Sequence, residues 1–276
     1  MPDIGSEIDR LMALPVEQAR TEGLALVAEF REGLNQGRYR AAEKVNGVWQ
    51  THAWVKRGIL LAFRVGINTR RDLSGEFRFL DKDTLPLRRE TDFDPRVVPG
   101  GSSIRDGAYI GQNVICMPPM FINIGAWVDD GSMVDSHALV GSCAQVGKRV
   151  HLSAAAQIGG VLEPPGALPV IVEDDAFVGG NCGVYEGVIV GERAVLAPGV
   201  LLTGGVRVYD TVRNAVYQRS DDTPLTIPPG AVLVPGSRPA KGEFARKNGV
   251  SVYAPVIVKY RDEKTDVSTS LEAVLR

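Results

Sequence analysis

The chain has 276 residues, 44% of them hydrophobic and 23% charged, with a formal net charge of −2, an ordinary balance for a globular protein. So slight a negative charge argues against nucleic acid as the main partner, and no apolar run is long enough to span a bilayer. The first residues, MPDIGSEIDR, lack a basic-then-apolar signal pattern, so a cytoplasmic setting is expected. The cysteines Cys116, Cys143 and Cys182 form no CxxC pair, which fits a reducing compartment. With only His52, His137 and His151 beside them, no metal site is expected.

In chain order, Ser6-Glu7-Ile8-Asp9 predicts a short amphipathic helix with Ile8, Leu11 and Met12 on one side, ended before Pro15. Pro15 suits the start of a second helix carrying Ala19, Leu24, Val27, Phe30 and Leu34 and closing near Gly37. Ala41–Val45 and Val48–Gln50 flank Asn46-Gly47, a hairpin signal because a tight primed turn needs positive φ at both central residues. A third helix has Trp54, Ile59, Leu61, Ala62 and Phe63 as its apolar positions and Gly66 and Asn68 as terminators. Glu76–Leu80 reads as a strand, and Asp94-Pro95 breaks the chain. Residues 1–95 therefore read as an N-terminal α+β domain.

From Ile104 an aliphatic or small apolar residue returns every six positions: Ile104, Ile110, Cys116, Ile122, Val128, Val134, Val140, Val146, Leu152 and Ile158. The beat resumes at Val172 and continues through Val178, Val184, Val190, Leu196, Leu202 and Val208. A period of six predicts a parallel β-helix, because each short strand cannot bury its apolar side alone and must stack on the next coil. An α-helix would need a period of 3.6. Three hexads make one triangular turn, and turns stack at roughly 4.8 Å. Cys116 falls on an inward beat and Cys182 four places after one, and both read as core residues, whereas Cys143 fits neither position and is expected to be exposed.

The fourteen positions from Ile158 to Val172 read as two hexads plus two extra residues, a loop bulging from one corner where binding residues can gather. Past Val206 the beat frays. Val206–Tyr209 and Ala215–Tyr217 flank a turn, Ala231–Val234 is another strand, and Pro239–Gly249 is a polar basic loop. Val252–Tyr260 is a β-like run, and Ser268 or Ser270 caps a last helix, Leu271–Leu275. The expected division is 1–95, a β-helix over 96–210, and a C-terminal β/α cap over 211–276, since an open solenoid end must be covered.

Denser matches lie between the beats. Arg96-Val97-Val98-Pro99, Val128–Asp135, Val140–Gly147 and Gly159–Pro164, with Ala42-Glu43-Lys44, Thr51-His52, Trp54 and Val256–Lys259, strongly resemble the tetrahydrodipicolinate N-succinyltransferase family over nearly the whole chain. The resemblance implies a left-handed parallel β-helix, a homotrimer with sites between neighbouring helices, and acyl transfer from a coenzyme A thioester to a small-molecule dicarboxylate. The acceptor would be tetrahydrodipicolinate, the product an N-acyl-2-amino-6-ketopimelate, and the donor succinyl-CoA.

A thioester is already activated, so direct attack by nitrogen suffices once a base removes a proton. The resemblance assigns that base to Asp135, the alternative being a polar hexad position like Asp129. It assigns substrate binding to Arg96, whose guanidinium suits a carboxylate, and to Glu163. For CoA, Arg238, Lys241 and Lys259 supply positive charge, and Gly204 and Gly205 would let a pantetheine arm approach the backbone.

Two departures stand out. The family's Ala-Arg-Ser-Glu-Val-Val-Glu-Gly is here Gly180-Asn181-Cys182-Gly183-Val184-Tyr185-Glu186-Gly187, which removes an arginine and a glutamate. The family's Thr-Trp after the catalytic aspartate is Ser136-His137. One reading makes His137 a replacement proton carrier. Another makes the chain a paralogue using acetyl-CoA, as in tabtoxin-type pathways, or a different hexapeptide acetyltransferase.

Overall fold

The computed structural model describes residues 3–73, 77–88, 95–221 and 223–262. The six-residue beat becomes three parallel sheets of two-residue strands, visited in turn. Face one runs through Arg96–Val97, Ile115–Cys116, Met133–Val134, His151–Leu152, Phe177–Val178 and Val195–Leu196. Face two holds Ser103–Ile104, Phe121–Ile122, Leu139–Val140, Gln157–Ile158, Gly183–Val184 and Leu201–Leu202. Face three holds Tyr109–Ile110, Trp127–Val128, Gln145–Val146, Ile171–Val172 and Ile189–Val190. Before the insertion, partners lie eighteen residues apart, as in Met133 with His151 and Leu139 with Gln157. The second residue of each strand points inward and is buried, apart from Val97 on the first strand, which is half-buried against the same core. At the corners small residues such as Ala126, Ala138 and Ala144 fill the remaining core. Ser132 can be buried there because its hydroxyl donates to the carbonyl of Gly147 and accepts from the N–H of Val150.

The N-terminal helices are α1 (Ile4–Ala13), α2 (Val16–Asn35) and α3 (Ala53–Val65). The buried stripe of α2 is Ala19, Gly23, Val27, Phe30 and Leu34, so Leu24, one step off it, is 40% exposed rather than core. The Asn46-Gly47 hairpin forms between Ala42–Val45 and Val48–Thr51. Asn68 does not end α3; it opens a strand, Asn68–Leu73, that pairs with Phe77–Lys82.

The N-terminal core closes over the corner between faces two and three, where Ile124 and Cys143 join Ile59, Leu61 and Leu34. That corrects the expectation for Cys143, which is fully buried because α3 covers its corner. Burial pushes the thiols of Cys116 and Cys143 up to about 12.

The interruption also differs from its sequence reading. Ile171–Val172 pairs with Gln145–Val146, so it is the face immediately after Ile158. The gap is one hexad plus eight residues, all at a single corner. Within the insertion, Leu162 packs against the N-terminal core.

At the far end, the strand that follows Ile189–Val190 on face three is Thr226–Ile227, not the segment at Val208. Face one continues with Ala231–Val234, so parallel stacking reaches past residue 210. Val208–Asp210 instead pairs with Val256–Tyr260 and forms a hairpin with Ala215–Tyr217. The Val252–Tyr260 run divides, its first part pairing as Ser251–Tyr253 with Ser237–Pro239. The basic loop contains a one-turn helix, α4 (Glu243–Lys247). The expected last helix, Leu271–Leu275, lies outside the described residues, as does Glu76. Among the described residues no helix is long and apolar enough to cross a membrane.

Candidate active site

Asp135 stands just after the inward Val134, where face one turns into face two. The Ser136 N–H donates to its Oδ1 at 2.7 Å. Oδ2 lies 4.0 Å from Nε2 of His151 and accepts no hydrogen bond from the described residues. The carboxylate is therefore fixed through one oxygen and open at the other. His151 sits one rung on, in register with Met133 and Phe177, its ring edge-on to Phe177 at 4.9 Å. His137 makes no contact this close with Asp135.

His137 has a different place: the left-handed corner residue, with φ 62°. Ala155 and Asn181 repeat that conformation on the next two rungs at 59° and 57°. Their N–H groups bond the rung below, His137 to Pro119 and Asn181 to Ala154. Asparagine and histidine enter this region more readily than most residues, which is a backbone reason for Asn181 and His137; it does not account for Gly183. Arg96 is exposed on the first strand of face one, in register with Ile115 and so in line with Met133 and His151.

A second feature lies at the corner between faces two and three. The eight-residue insertion, Thr203 and the stretch around Arg219–Asp221 and Thr223–Pro224 line an open cavity of about 850 Å³. Glu163, Tyr185, Glu186 and Arg219 line it, with Val161 and Leu168 as apolar walls. Glu163 is thus the one expected site residue that reaches this cavity. Lys56, buried on α3, donates from Nζ to the carbonyl of Ala167 at 2.5 Å and holds the insertion. Burial holds the Lys56 ammonium below its usual pKa, opposed by its proximity to Cys143.

The expected CoA contacts are spread out. Gly204 is buried, and its N–H donates to Oε2 of Glu186 at 2.8 Å. Gly205 next to it is exposed and faces open space. Arg238 is half-buried on the Ser237–Pro239 strand, and Lys241 is exposed just beyond. That hairpin is tied to the end of face two by the Leu201 N–H donating to the Tyr253 hydroxyl at 2.7 Å. Lys259 lies opposite Val232 on the sheet of face one, 3.5 Å from Asp262. Sequence reasoning passed over Tyr185 and Arg219. The available signal for Tyr185 was a pair of glycines, Gly159 and Gly183, on adjoining rungs.

Similarity to known proteins covers nearly the whole chain. A family profile described as the tetrahydrodipicolinate N-succinyltransferase N-terminal region matches residues 6–65, and one described as the hexapeptide repeat of succinyl-transferase matches residues 169–204. A 2,3,4,5-tetrahydropyridine-2,6-dicarboxylate N-succinyltransferase of Burkholderia mallei is 44% identical, over 95% of this chain and 93% of its own. The protein of the same name from Idiomarina loihiensis is 43% identical over 94% and 92%. That from Dechloromonas aromatica is 42% identical over 88% and 86%.

Proposed function

The chain belongs to the tetrahydrodipicolinate N-succinyltransferase family, and from that premise we propose that it moves the succinyl group of succinyl-CoA onto the nitrogen of tetrahydropyridine-2,6-dicarboxylate. The observation that carries this reading is identity above 40% along nearly the full length of relatives bearing that name. Water adds to the ring C=N, the nitrogen attacks the thioester carbonyl, the C–S bond breaks, and ring opening gives N-succinyl-2-amino-6-ketopimelate and free CoA.

In this reading the chain's own groups do three things. Asp135 takes the proton from the attacking nitrogen through Oδ2, while the Ser136 N–H keeps Oδ1 in place. Arg96 and Glu163 bind the acceptor, the guanidinium gripping a carboxylate. Arg238, Lys241 and Lys259 meet the phosphates of CoA, and the open backbone at Gly205 beside Gly204 admits the pantetheine arm. The thioester carries its own activation, so the step calls for no metal.

Asp135 and the Glu163 cavity occupy different corners of one chain. A homotrimer that sets the Asp135 corner of one copy against the cavity of the next would unite them, and that is the assembly we infer. The same reading takes the solenoid as left-handed and the setting as cytoplasmic. It treats 1–95 as cap, 96–210 together with the rungs at Thr226–Ile227 and Ala231–Val234 as solenoid, and the rest of 211–276 as the CoA-side region. The test is to incubate the protein with the acceptor and either succinyl-CoA or acetyl-CoA and to follow free thiol. Faster release from succinyl-CoA is expected; no acceptor-dependent release with either donor overturns the reading.

A further inference from the structure

Tyr185 lies one rung above Gly159, and its ring folds back across two glycines. A Cβ on Gly159 would lie 2.7 Å from Tyr185 Cδ1, and a Cβ on Gly183 would lie 2.5 Å from Cε2 and 2.8 Å from the hydroxyl oxygen. Real Cβ atoms do not approach so closely, so the ring needs both positions bare. Gly183 is buried beneath it, and the ring takes its place as a wall of the 850 Å³ cavity.

The rest of that cavity suits a short acyl chain ending in a carboxylate. Val161 and Leu168 offer apolar surface for methylenes, and among the charged lining residues, Glu163, Glu186, Asp221 and Arg219, the guanidinium of Arg219 is the group that would pair with a terminal carboxylate. The next residue, Glu186, holds the N–H of Gly204, which puts Tyr185 at the end of the path proposed for the pantetheine arm. We propose that Tyr185 is the specificity-determining residue for acyl length, its ring closing the cavity behind the terminal carboxylate of the acyl group. This rests on the acyl-transfer reading above. Because the floor under the ring is two glycines, nothing else fills the slot when the ring is removed.

The test compares kcat/KM for acetyl-, succinyl- and glutaryl-CoA, the last longer than succinyl-CoA by one methylene. A pocket discriminates one methylene by about 10- to 200-fold. Tyr185→Ala, and Tyr185→Val as a second variant, should raise the glutaryl-to-succinyl ratio by about tenfold or more. Tyr185→Phe keeps the ring and should leave the ratio unchanged. Gly183→Ala drives the ring into the cavity and should lower succinyl-CoA relative to acetyl-CoA. An unchanged ratio in both Tyr185→Ala and Tyr185→Val, or an equal shift in Tyr185→Phe, overturns the proposal. A wild-type protein that turns over no donor sinks the acyl-transfer reading itself, and an active wild type with unaltered variant ratios sinks only the role of Tyr185.

Discussion

The Nζ of Lys56 donates a 2.5 Å hydrogen bond to the carbonyl of Ala167, joining the first turn of α3 to the insertion that walls the cavity. The bond crosses 111 residues of chain, and the Thr51 hydroxyl reaches the same carbonyl at a longer 3.4 Å. The N-terminal cap is therefore a mechanical support for the cavity as well as a cover for the solenoid corner.

Replacing Lys56 with Met keeps the stem and removes the donor. Losing a hydrogen bond from a charged group costs about 1.5–3 kcal/mol, so Lys56→Met should lower the denaturant midpoint. KM for the ligand held by the insertion should rise while kcat changes less. Urea unfolding and steady-state kinetics measure the two effects.

The buried cysteines give a prediction on reactivity and another on pH. Cys116 and Cys143 are 0% exposed and Cys182 is 1%, so the native protein should react slowly with a thiol reagent and release all its thiols only on denaturation. Burial raises the folded pKa of Cys116 and Cys143 from an ordinary 9.0 to about 12. A group raised on folding contributes stability that is whole below its unfolded pKa and is lost as pH rises towards the folded one. Stability should fall between pH 9 and about 12, with half-buried Tyr260 acting in the same direction. Cys116→Ala with Cys143→Ala should flatten that decline in chemical denaturation curves taken across the window.

At the C-terminal end, Tyr260 donates to Asp210 Oδ2 at 2.6 Å, and the Val212 and Arg213 N–H groups donate to Oδ1 at 2.9 Å. Burial works to raise the Asp210 pKa, but these hydrogen bonds outweigh it and hold it below the usual carboxylate range. The contribution is present above the ordinary aspartate pKa and is lost as pH falls through the lowered value. Tyr260→Phe should cost about 1.5–3 kcal/mol at neutral pH and lose most of that penalty in acid. Hydrogen exchange along Val256–Tyr260 would locate the change.

Asp135→Asn keeps the acceptor for the Ser136 N–H and removes the base. Turnover should fall by about 10²- to 10⁴-fold, with the unfolding curve unchanged. A variant that turns over like the wild type assigns the proton to another group.

What the sequence made legible was governed by neighbours in the repeat. Val134, Leu152 and Val178 announce themselves because each buries the same side on the same face. Cys143 could not be placed, since its cover comes from Ile59 on a distant helix. The Ile158–Val172 gap was misread because fourteen residues fit the hexad arithmetic almost as well with a second strand. Asp135 was nameable from a motif, but the nearness of His151 rather than His137 depends on which rung lies next to which. Tyr185 stayed hidden because its significance lies in the bare glycine floor under its ring.

The central claim is tested most directly by mass analysis of the product together with the count of thiols released. With succinyl-CoA and tetrahydropyridine-2,6-dicarboxylate, the account predicts one free CoA for each N-succinyl-2-amino-6-ketopimelate formed, and none when the acceptor is omitted. Thiol release that ignores the acceptor, or no succinylated product, would contradict it.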